Sequence, residues 1–380
     1  MRYNKMGGVQ EYNPVLSMIK FPLACLVIVL HLGLPNQHDF YPNAGLLHIT
    51  EEITGIIEVL FSKYIVHLAV PTFFAISGYL FFKNVNEFTR SIYLTKIKSR
   101  FMSVLVPYIL WNFLYLVFLL FMKALGVIAH GNDIKGIMEF IQGNGGWCNM
   151  MWSSQELAQK NILGNTVTSY FPINAPLWFL RDLYIAMLLS PILYFLAKKT
   201  KMWFIAVMAC LYYLQWQLPF PGFSITAIFF FSLGALVAIK KYDLVRFSVK
   251  YKNVIYSLTL ILIPILFIQK YSDMAFPVFR LLGVFALLAI FSSLSYHEKL
   301  LHSLEKMTEF SMFVFVAQYF FLDICRGFLI GLVSGGGLLR ETFLYVITPV
   351  FIISLMWITY IGAKKVCPKS LSFTLGNRKQ

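Results

Sequence analysis

Long apolar runs, separated by short polar and basic segments, extend over the whole chain. A membrane-spanning helix needs about 20 mostly apolar residues, each adding a rise of about 1.5 Å. Ten such runs occur, at residues 14–34, 56–82, 104–125, 176–197, 202–218, 223–239, 253–270, 276–295, 310–333 and 342–363. The pattern therefore predicts an all-α fold, a polytopic membrane helical bundle of about 10 transmembrane helices, formed by residues 1–380 as a single domain.

Two kinds of interruption modify this pattern. Pro71, Pro107 and Pro264 lie inside predicted spans, where a proline frees a backbone carbonyl and predicts a kink. Segment 126–175 is the one long polar stretch and is rich in Gly, Asn and Trp. Because long loops without periodicity are usually functional or disordered, we predict that this segment forms an outer loop.

The composition excludes the soluble classes. Hydrophobic residues make up 58% of the chain and charged residues 13%, and the mean hydropathy is +0.70. A soluble protein carries about 25% charged residues. The net charge of +15 would favour nucleic acid if it covered a soluble face, but the basic residues form short blocks between apolar runs. We expect a lipid bilayer around the chain and no nucleic acid; the five scattered cysteines predict no metal site.

The basic blocks also predict the orientation, since lysine and arginine concentrate on the cytoplasmic side. With a cytoplasmic N-terminus and ten spans, 22 of the 32 Lys and Arg residues fall inside, five fall in outer segments or at outer span ends, and five fall within spans. The sequence thus predicts a multi-pass protein of the inner (plasma) membrane with both termini in the cytoplasm.

Ionisable side chains inside predicted spans are costly and mark either function or a paired structural site. They are His31, Glu58, Lys63, His67, Arg181, Asp182, Arg280, Asp323 and Arg326. Most fall at one level, in the outer half of the bundle. Asp323 and Arg326 are three residues apart and can pair with each other. Glu58, Lys63 and Arg280 enter from the outer side and are shallow enough to snorkel to the interface.

His31 differs from the other ionisable residues. It follows an unbroken apolar run, residues 23–30, and has no carboxylate neighbour in sequence. A neutral imidazole there can act as a general base near neutral pH, although a packing histidine explains the same pattern. We interpret His67 as a hydrogen-bonded packing residue.

A basic cluster precedes the third span. Lys96, Lys98 and Arg100 lie on the predicted inner side. Plain positive-inside charge explains each cation by itself. Three cations at the mouth of a bundle can equally bind the phosphates of an acyl-CoA.

Several short segments together carry a resemblance to a known family. They are Lys20 to His31, a basic residue and an apolar run ending in histidine; residues 70–80, VPTFFAISGYL; Lys96 to Pro107-Tyr108 with Trp111; residues 175–183, APLWFLRDL, followed by Ser190-Pro191; residues 230–235, FFSLGA; and residues 308–311, TEFS. In this order and spacing they resemble the acyltransferase-3 family of bacterial integral-membrane O-acyltransferases, which modify surface glycans. Two positions depart from the family pattern. Ile97 replaces the first of two arginines three apart, and Gln318 stands where a histidine is frequent.

The resemblance implies transfer of an acyl group, in the simplest case acetyl, from cytosolic acyl-CoA to a hydroxyl of a cell-surface glycan or glycolipid. Acyl-CoA (acetyl-CoA) would be a co-substrate, and no cofactor would be bound permanently. His31 would be the catalytic residue that takes the hydroxyl proton. Arg100, with Lys98 and Lys96, would hold the phosphates of coenzyme A.

The resemblance also implies an acceptor site. Trp178, Arg181 and Asp182 would line it, since indole faces stack on sugar rings, and Ser77 and Tyr79 complete the predicted substrate-binding set. An interfacial tryptophan and a structural ion pair explain the first three residues equally well.

Other functions are compatible with the same pattern. A transporter or flippase of polysaccharide intermediates would also have about ten spans and a few buried charges, but it should show repeats and broken helices. Acyl transfer to a lipid or a small molecule stays open, as does the oligomeric state. A non-enzymatic scaffold would have no need of a histidine deep in a span.

Overall fold

Helices form most of the chain. The computed structural model describes residues 14–32, 56–130, 139, 141–143, 145–200, 202–332 and 338–377. The first helices are α1 (Pro14–Met18), α2 (Lys20–Leu32), α3 (Ala69–Phe82), α4 (Arg90–Arg100), α5 (Val106–His130), α6 (Gly146–Ser153), α7 (Trp178–Leu188) and α8 (Ser190–Lys199). The later helices are α9 (Met202–Tyr213), α10 (Ile225–Ile239), α11 (Leu244–Lys250), α12 (Lys252–Leu266), α13 (Gln269–Leu294), α14 (Glu298–Lys306), α15 (Thr308–Leu332), α16 (Leu338–Val366) and α17 (Pro368–Thr374).

Each of the ten predicted runs coincides with a helix or a helix pair, which confirms an all-α membrane protein. Among the described residues, five helices are long and apolar enough to cross a bilayer, and two bent pairs raise this number to at most seven. The pairs are Ala175–Leu188 with Ser190–Lys199, bent by 58°, and Ile225–Ile239 with Leu244–Lys250, bent by 94°. The number of ten crossings therefore stays a prediction.

Length explains the difference. The 12 residues of α9 span only about 18 Å, against a hydrocarbon core of about 30 Å. The hydropathy pattern reports that such a segment is apolar, but it does not show where the helix begins and ends.

The prolines at two predicted kinks are preceded by turns that are not α-helical. A π-helical segment, Leu60–Ile65, and a 3-10 turn, Val66–Leu68, lead into α3 shortly before Pro71. A second π-helical segment, Phe101–Leu105, leads into α5 before Pro107. Because proline has no backbone N–H, the preceding turn can rewind at low cost.

The centre of the bundle is a close contact between α3 and α10. A Cβ on Gly78 would overlap the carbonyl oxygen of Phe231, and one on Gly234 would overlap that of Ala75. Small residues let two membrane helices approach to backbone contact. The two helices run parallel, because the end of α10 meets the segment that follows α3 through a bond from Lys241 Nζ to the carbonyl of Val85 (2.8 Å).

The segments that carry the predicted inner cations meet at one end of the bundle, which we call the basic end. Besides the Lys241 contact, Thr308 Oγ1 donates to the Ser17 carbonyl (3.3 Å), and Lys364 Nζ lies 2.8 Å from Glu309 Oε2. The threading of ten spans through the membrane is not tested by these contacts. Which end faces the cytoplasm stays a prediction.

The polar segment 126–175 contains more regular structure than the predicted loop. Besides α6 it holds an antiparallel hairpin of strands β1 (Gln155–Lys160) and β2 (Thr166–Phe171), in which Gln155 pairs with Phe171 and Lys160 with Thr166. Asn161 organises the turn, because its side-chain oxygen accepts from the backbone N–H groups of Leu163 (3.0 Å) and Asn165 (2.9 Å). The hairpin lies at the end of the bundle opposite the basic end.

Candidate active site

A cavity of about 380 Å³ lies beneath the hairpin. The ends of α2, α3, α7 and α10, one face of α13, the hairpin and the 215–222 segment form its walls. Its polar and charged lining includes His31, His67, Gln159, Thr168, Ser169, Tyr170, Trp178, Arg181, Asp182, Tyr212, Gln215, Gln217, Ser224, Thr226 and Arg280. The structure therefore brings His31, Trp178, Arg181 and Asp182, four of the predicted site residues, to one cavity.

His31 occupies the last turn of α2, where the apolar run ends and the helix reaches the cavity. Its Nδ1 lies 3.4 Å from the hydroxyl oxygen of Tyr319 on α15, and the two rings meet edge to face at 5.3 Å. If Nδ1–H donates to the tyrosine oxygen, Nε2 carries the free lone pair that a base requires. The geometry therefore provides an oriented imidazole on the cavity wall.

Arg181 and Asp182 form an ion pair in which each side chain is 2% exposed. The Arg181 Nε–H donates to Asp182 Oδ1 (2.9 Å), and its two terminal nitrogens donate to the carbonyls of Trp152 and Tyr170. Asp182 also accepts a backbone hydrogen bond from Ser224, the residue before α10. The pair thus links α6, the hairpin, α7 and α10, as the structural interpretation requires.

Trp178 stands at the start of α7, where the preceding 3-10 turn ends. Its ring packs against Phe74 (6.1 Å) and Phe171 (6.2 Å) between centroids. The side chain is half-buried and borders the cavity, so part of the indole is open to the cavity while the two neighbouring rings fix its orientation.

Two cavity residues were assigned other roles from the sequence. His67, interpreted as a packing residue, lines the cavity and packs its ring edge against Phe276 at 5.5 Å. Arg280, expected to snorkel, lines the cavity as well. Lys63 is exposed, and its snorkelling to the interface stays a prediction. The side chains of Asp323 and Arg326 lie outside the described part of the structure.

The predicted coenzyme residues lie elsewhere. Lys96 places its ammonium 5.3 Å from the ring centre of Phe81, Lys98 is exposed, and Arg100 is half-buried at the end of α4. All three belong to the polar stretch near the basic end, and none lines the cavity. Their role stays a prediction.

The remaining predicted residues also lie off the cavity. Ser77 and Tyr79 follow Pro71, which lines the cavity, by six and eight residues, or about 9 and 12 Å along α3. Tyr79 is 3% exposed. Gln318 is fully buried and donates to the Phe315 carbonyl (2.9 Å). Within the described ranges, no cluster of three or more His, Cys, Asp or Glu side chains could hold a metal ion.

A helical membrane bundle with a histidine-containing cavity at one end and a cluster of cations at the other is typical of an integral-membrane protein with a ligand site. Comparison with known proteins gives the family. A family model for an acyltransferase domain, acyltransferase-3, matches residues 15–363. The chain therefore belongs to the acyltransferase-3 family.

A curated relative adds a biosynthetic context. The chain is 27% identical over 224 residues to the succinoglycan biosynthesis protein ExoH of Rhizobium meliloti (strain 1021). The match covers 58% of this chain and 52% of that protein, so the chain spans about half the length of this relative. No solved structure matches the chain.

Proposed function

We propose that the protein is a membrane O-acyltransferase that transfers an acyl group, in the simplest case acetyl, from cytosolic acyl-CoA to a hydroxyl of a cell-surface polysaccharide or glycolipid. The observation that carries this proposal is His31, which ends its apolar helix at a polar cavity inside the family domain. The name of the relative, a protein of succinoglycan biosynthesis, supports a polysaccharide acceptor.

The chemistry assigns one role to the imidazole. The acceptor hydroxyl loses its proton to His31 as its oxygen attacks the thioester carbonyl. A carbon–oxygen bond forms, the carbon–sulfur bond breaks, and the proton passes to the departing thiolate of coenzyme A. The Tyr319 hydroxyl, 3.4 Å from Nδ1, orients the ring, and Nε2 is the base in the tautomer in which Nδ1–H donates to that hydroxyl.

The acceptor enters beside the hairpin in this proposal. Amide and hydroxyl groups of Gln159, Thr168 and Gln217 line the cavity and match the donors and acceptors of a sugar. Trp178 offers its half-buried indole to a sugar ring. Arg181 and Asp182 hold the walls in place, because their own polar atoms are engaged within the protein.

The donor approaches from the other end. Arg100, Lys98 and Lys96 are the cations that we assign to the phosphates of coenzyme A. We place the protein in the plasma membrane with the basic end in the cytoplasm, in accordance with the positive-inside rule. From Pro14 to His31 the chain rises about 25 Å, so the thioester must reach up between the helices.

A transporter of polysaccharide intermediates is the second candidate, because two helix pairs are bent. Transporters place their broken helices around the substrate. The two sharp bends, at Leu189 and at residues 240–243, do not line the cavity, whereas the 3-10 turn that contains His67 does. The position of the breaks therefore does not separate the two functions, and the family match favours the enzyme.

The proposal is tested in cells and with purified protein. Polysaccharide from a deletion strain should lack O-acyl groups that NMR detects in the parent strain. Expression of the His31→Ala variant in the deletion strain should not restore those groups, although this variant is inserted and monodisperse in detergent. Expression of His297→Ala, which alters an exposed histidine, should restore them. In vitro, the wild-type protein should release free thiol from acetyl-CoA only when the unmodified polysaccharide is present.

General base removal lowers rates by about 10²- to 10⁴-fold. Full O-acylation in the His31→Ala strain would refute the mechanism. Identical polysaccharide in the deletion and parent strains would refute the function as a whole.

A further inference from the structure

Arg280 is a cavity-lining cation that forms no ion pair with any acidic side chain among the described residues. It lies on α13 one turn after Phe276, and its guanidinium carbon is 4.6 Å from the centre of that ring and 5.3 Å from the ring of Tyr212 on α9. Its Nε is buried and has no hydrogen-bond partner among the residues that the structure describes. The two aromatic rings therefore hold the guanidinium in place without neutralising it.

The second arginine of the same cavity provides an internal comparison. Arg181 uses Nε and both terminal nitrogens on Asp182 and on two backbone carbonyls. The two ion pairs found in the described part of the chain, Arg181–Asp182 and Lys364–Glu309, do not involve Arg280. Arg280 also donates a side-chain hydrogen bond to the Tyr212 hydroxyl. That hydroxyl donates to the Pro277 carbonyl (3.2 Å) and is neutral, so it leaves the charge of Arg280 in place.

The charges of the cavity therefore do not balance. Arg181 and Asp182 cancel each other, and the one remaining charge among the described lining residues, with neutral histidines, is that of Arg280. An ionised side chain at membrane depth is expensive unless a partner or a functional ligand compensates it. A planar guanidinium binds a carboxylate through two parallel hydrogen bonds.

From these observations we infer that Arg280 forms a subsite for a carboxylate carried by one of the substrates. The inference rests on the proposed function, because it names a chemical feature of the substrates of that same cavity. Two sources of the carboxylate exist: a uronic acid in the acceptor glycan, or the free acid group of a dicarboxylic acyl chain. The subsite lies in the cavity that also contains His31 and His67, so it would orient that substrate for reaction.

Matched pairs of ligands separate the two sources. Binding to the full chain in lipid nanodiscs is measured by calorimetry for methyl glucuronide against methyl glucoside, and for succinyl-CoA against butyryl-CoA. In one pair the acid should bind about 10- to 100-fold more tightly than its neutral counterpart, as expected for hydrogen bonds to a charged group. Preference in the sugar pair identifies the acceptor as the carboxylate carrier, and preference in the thioester pair identifies the acyl group.

Variants assign the preference to one side chain. Arg280→Gln should bind the two members of the pair alike, while Arg246→Gln, which alters an exposed arginine near the basic end, should keep the wild-type preference. Should Arg280→Gln fail to fold, Arg280→Lys retains the charge without the planar fork and should keep only part of the preference. Equal binding within both pairs by the wild type, or an undiminished preference in both Arg280 variants, would overturn the subsite.

The binding measurement needs no turnover, so the two proposals fail separately. Transfer that persists in His31→Ala removes the proposed mechanism and leaves a carboxylate preference intact. If the wild-type protein shows no preference for the acidic ligands but still transfers acyl groups, the subsite is refuted and the proposed function stands.

Discussion

Replacing Arg181 tests whether the buried ion pair anchors the cavity walls or binds the acceptor. The variant Arg181→Gln leaves Asp182 buried with only the backbone of Ser224 as partner, and it withdraws two donors from the carbonyls of Trp152 and Tyr170. Removing one member of a buried pair costs about 3–5 kcal/mol. Because the two members are each 2% exposed, solvent cannot replace the lost partner, and we expect a loss within that range.

The assay is equilibrium unfolding in mixed micelles with increasing sodium dodecyl sulfate. Lys364→Gln is the control, because the Lys364–Glu309 pair has a similar distance, 2.8 Å, but side chains that are 49% and 33% exposed. Such exposed pairs contribute about 0–1 kcal/mol. The double variant Arg181→Met/Asp182→Leu removes both charges and should be more stable than Arg181→Met alone.

The outcome distinguishes the two interpretations of the sequence. If Arg181→Gln destabilises the protein no more than Lys364→Gln does, the anchoring argument is wrong. If stability is retained while acceptor binding is lost, Arg181 belongs to the acceptor site, as the family resemblance implied.

Three further predictions follow from the arrangement of the bundle. Replacing Lys98 and Arg100 by Gln should weaken acyl-CoA binding in titrations. Because salt screens contacts with phosphates, the affinity of the wild type should fall more steeply with salt than that of the variant. Unchanged affinity would mean that both residues serve only the membrane topology. In intact cells that express single-cysteine variants, an impermeant maleimide should label the exposed Cys148 but should label the exposed Cys367 only after permeabilisation. Labelling of Cys367 in intact cells would contradict the predicted orientation. Gly234→Ala should destabilise the protein in thermal melts by about 1–3 kcal/mol, since its methyl group overlaps a backbone carbonyl of α3; an unchanged melting temperature would contradict the close α3–α10 contact.

The sequence predicted the helices well because hydropathy responds to composition, and composition determines which segments lipid can solvate. It could not predict the 58° and 94° bends or the short length of α9, because these depend on tertiary packing. The hairpin was missed for a different reason. All six residues of β1 are exposed, so the strand has no alternation between buried and exposed positions that a pattern could detect.

Part of the cavity was predictable for a simple geometric reason. His31, Arg181 and Asp182 lie near the ends of their helices, so depth along the chain already places them at one level. The orientation of Arg280 depends on rotation about the axis of α13 and on the position of Tyr212, 68 residues earlier in the sequence. Its spacing of four from Phe276 was the one local signal, since residues four apart share a helix face.

Under the proposed function, the division of charge between the two ends accounts for how one bundle would serve two substrates of opposite origin. A phosphate-rich coenzyme requires cations near water, and Lys98 is exposed. Such cations are stable only outside the lipid core, because the transfer of a charge into lipid is unfavourable. The imidazole has the opposite requirement, because a neutral base is compatible with the membrane level at which the helix ends. The proposed glycan acceptor would require hydroxyl and amide groups, which the hairpin and Gln217 provide at the cavity. In this arrangement α2 has to be both apolar along its length and reactive at its tip, and the run from Leu23 to Leu30 that ends in His31 meets both conditions.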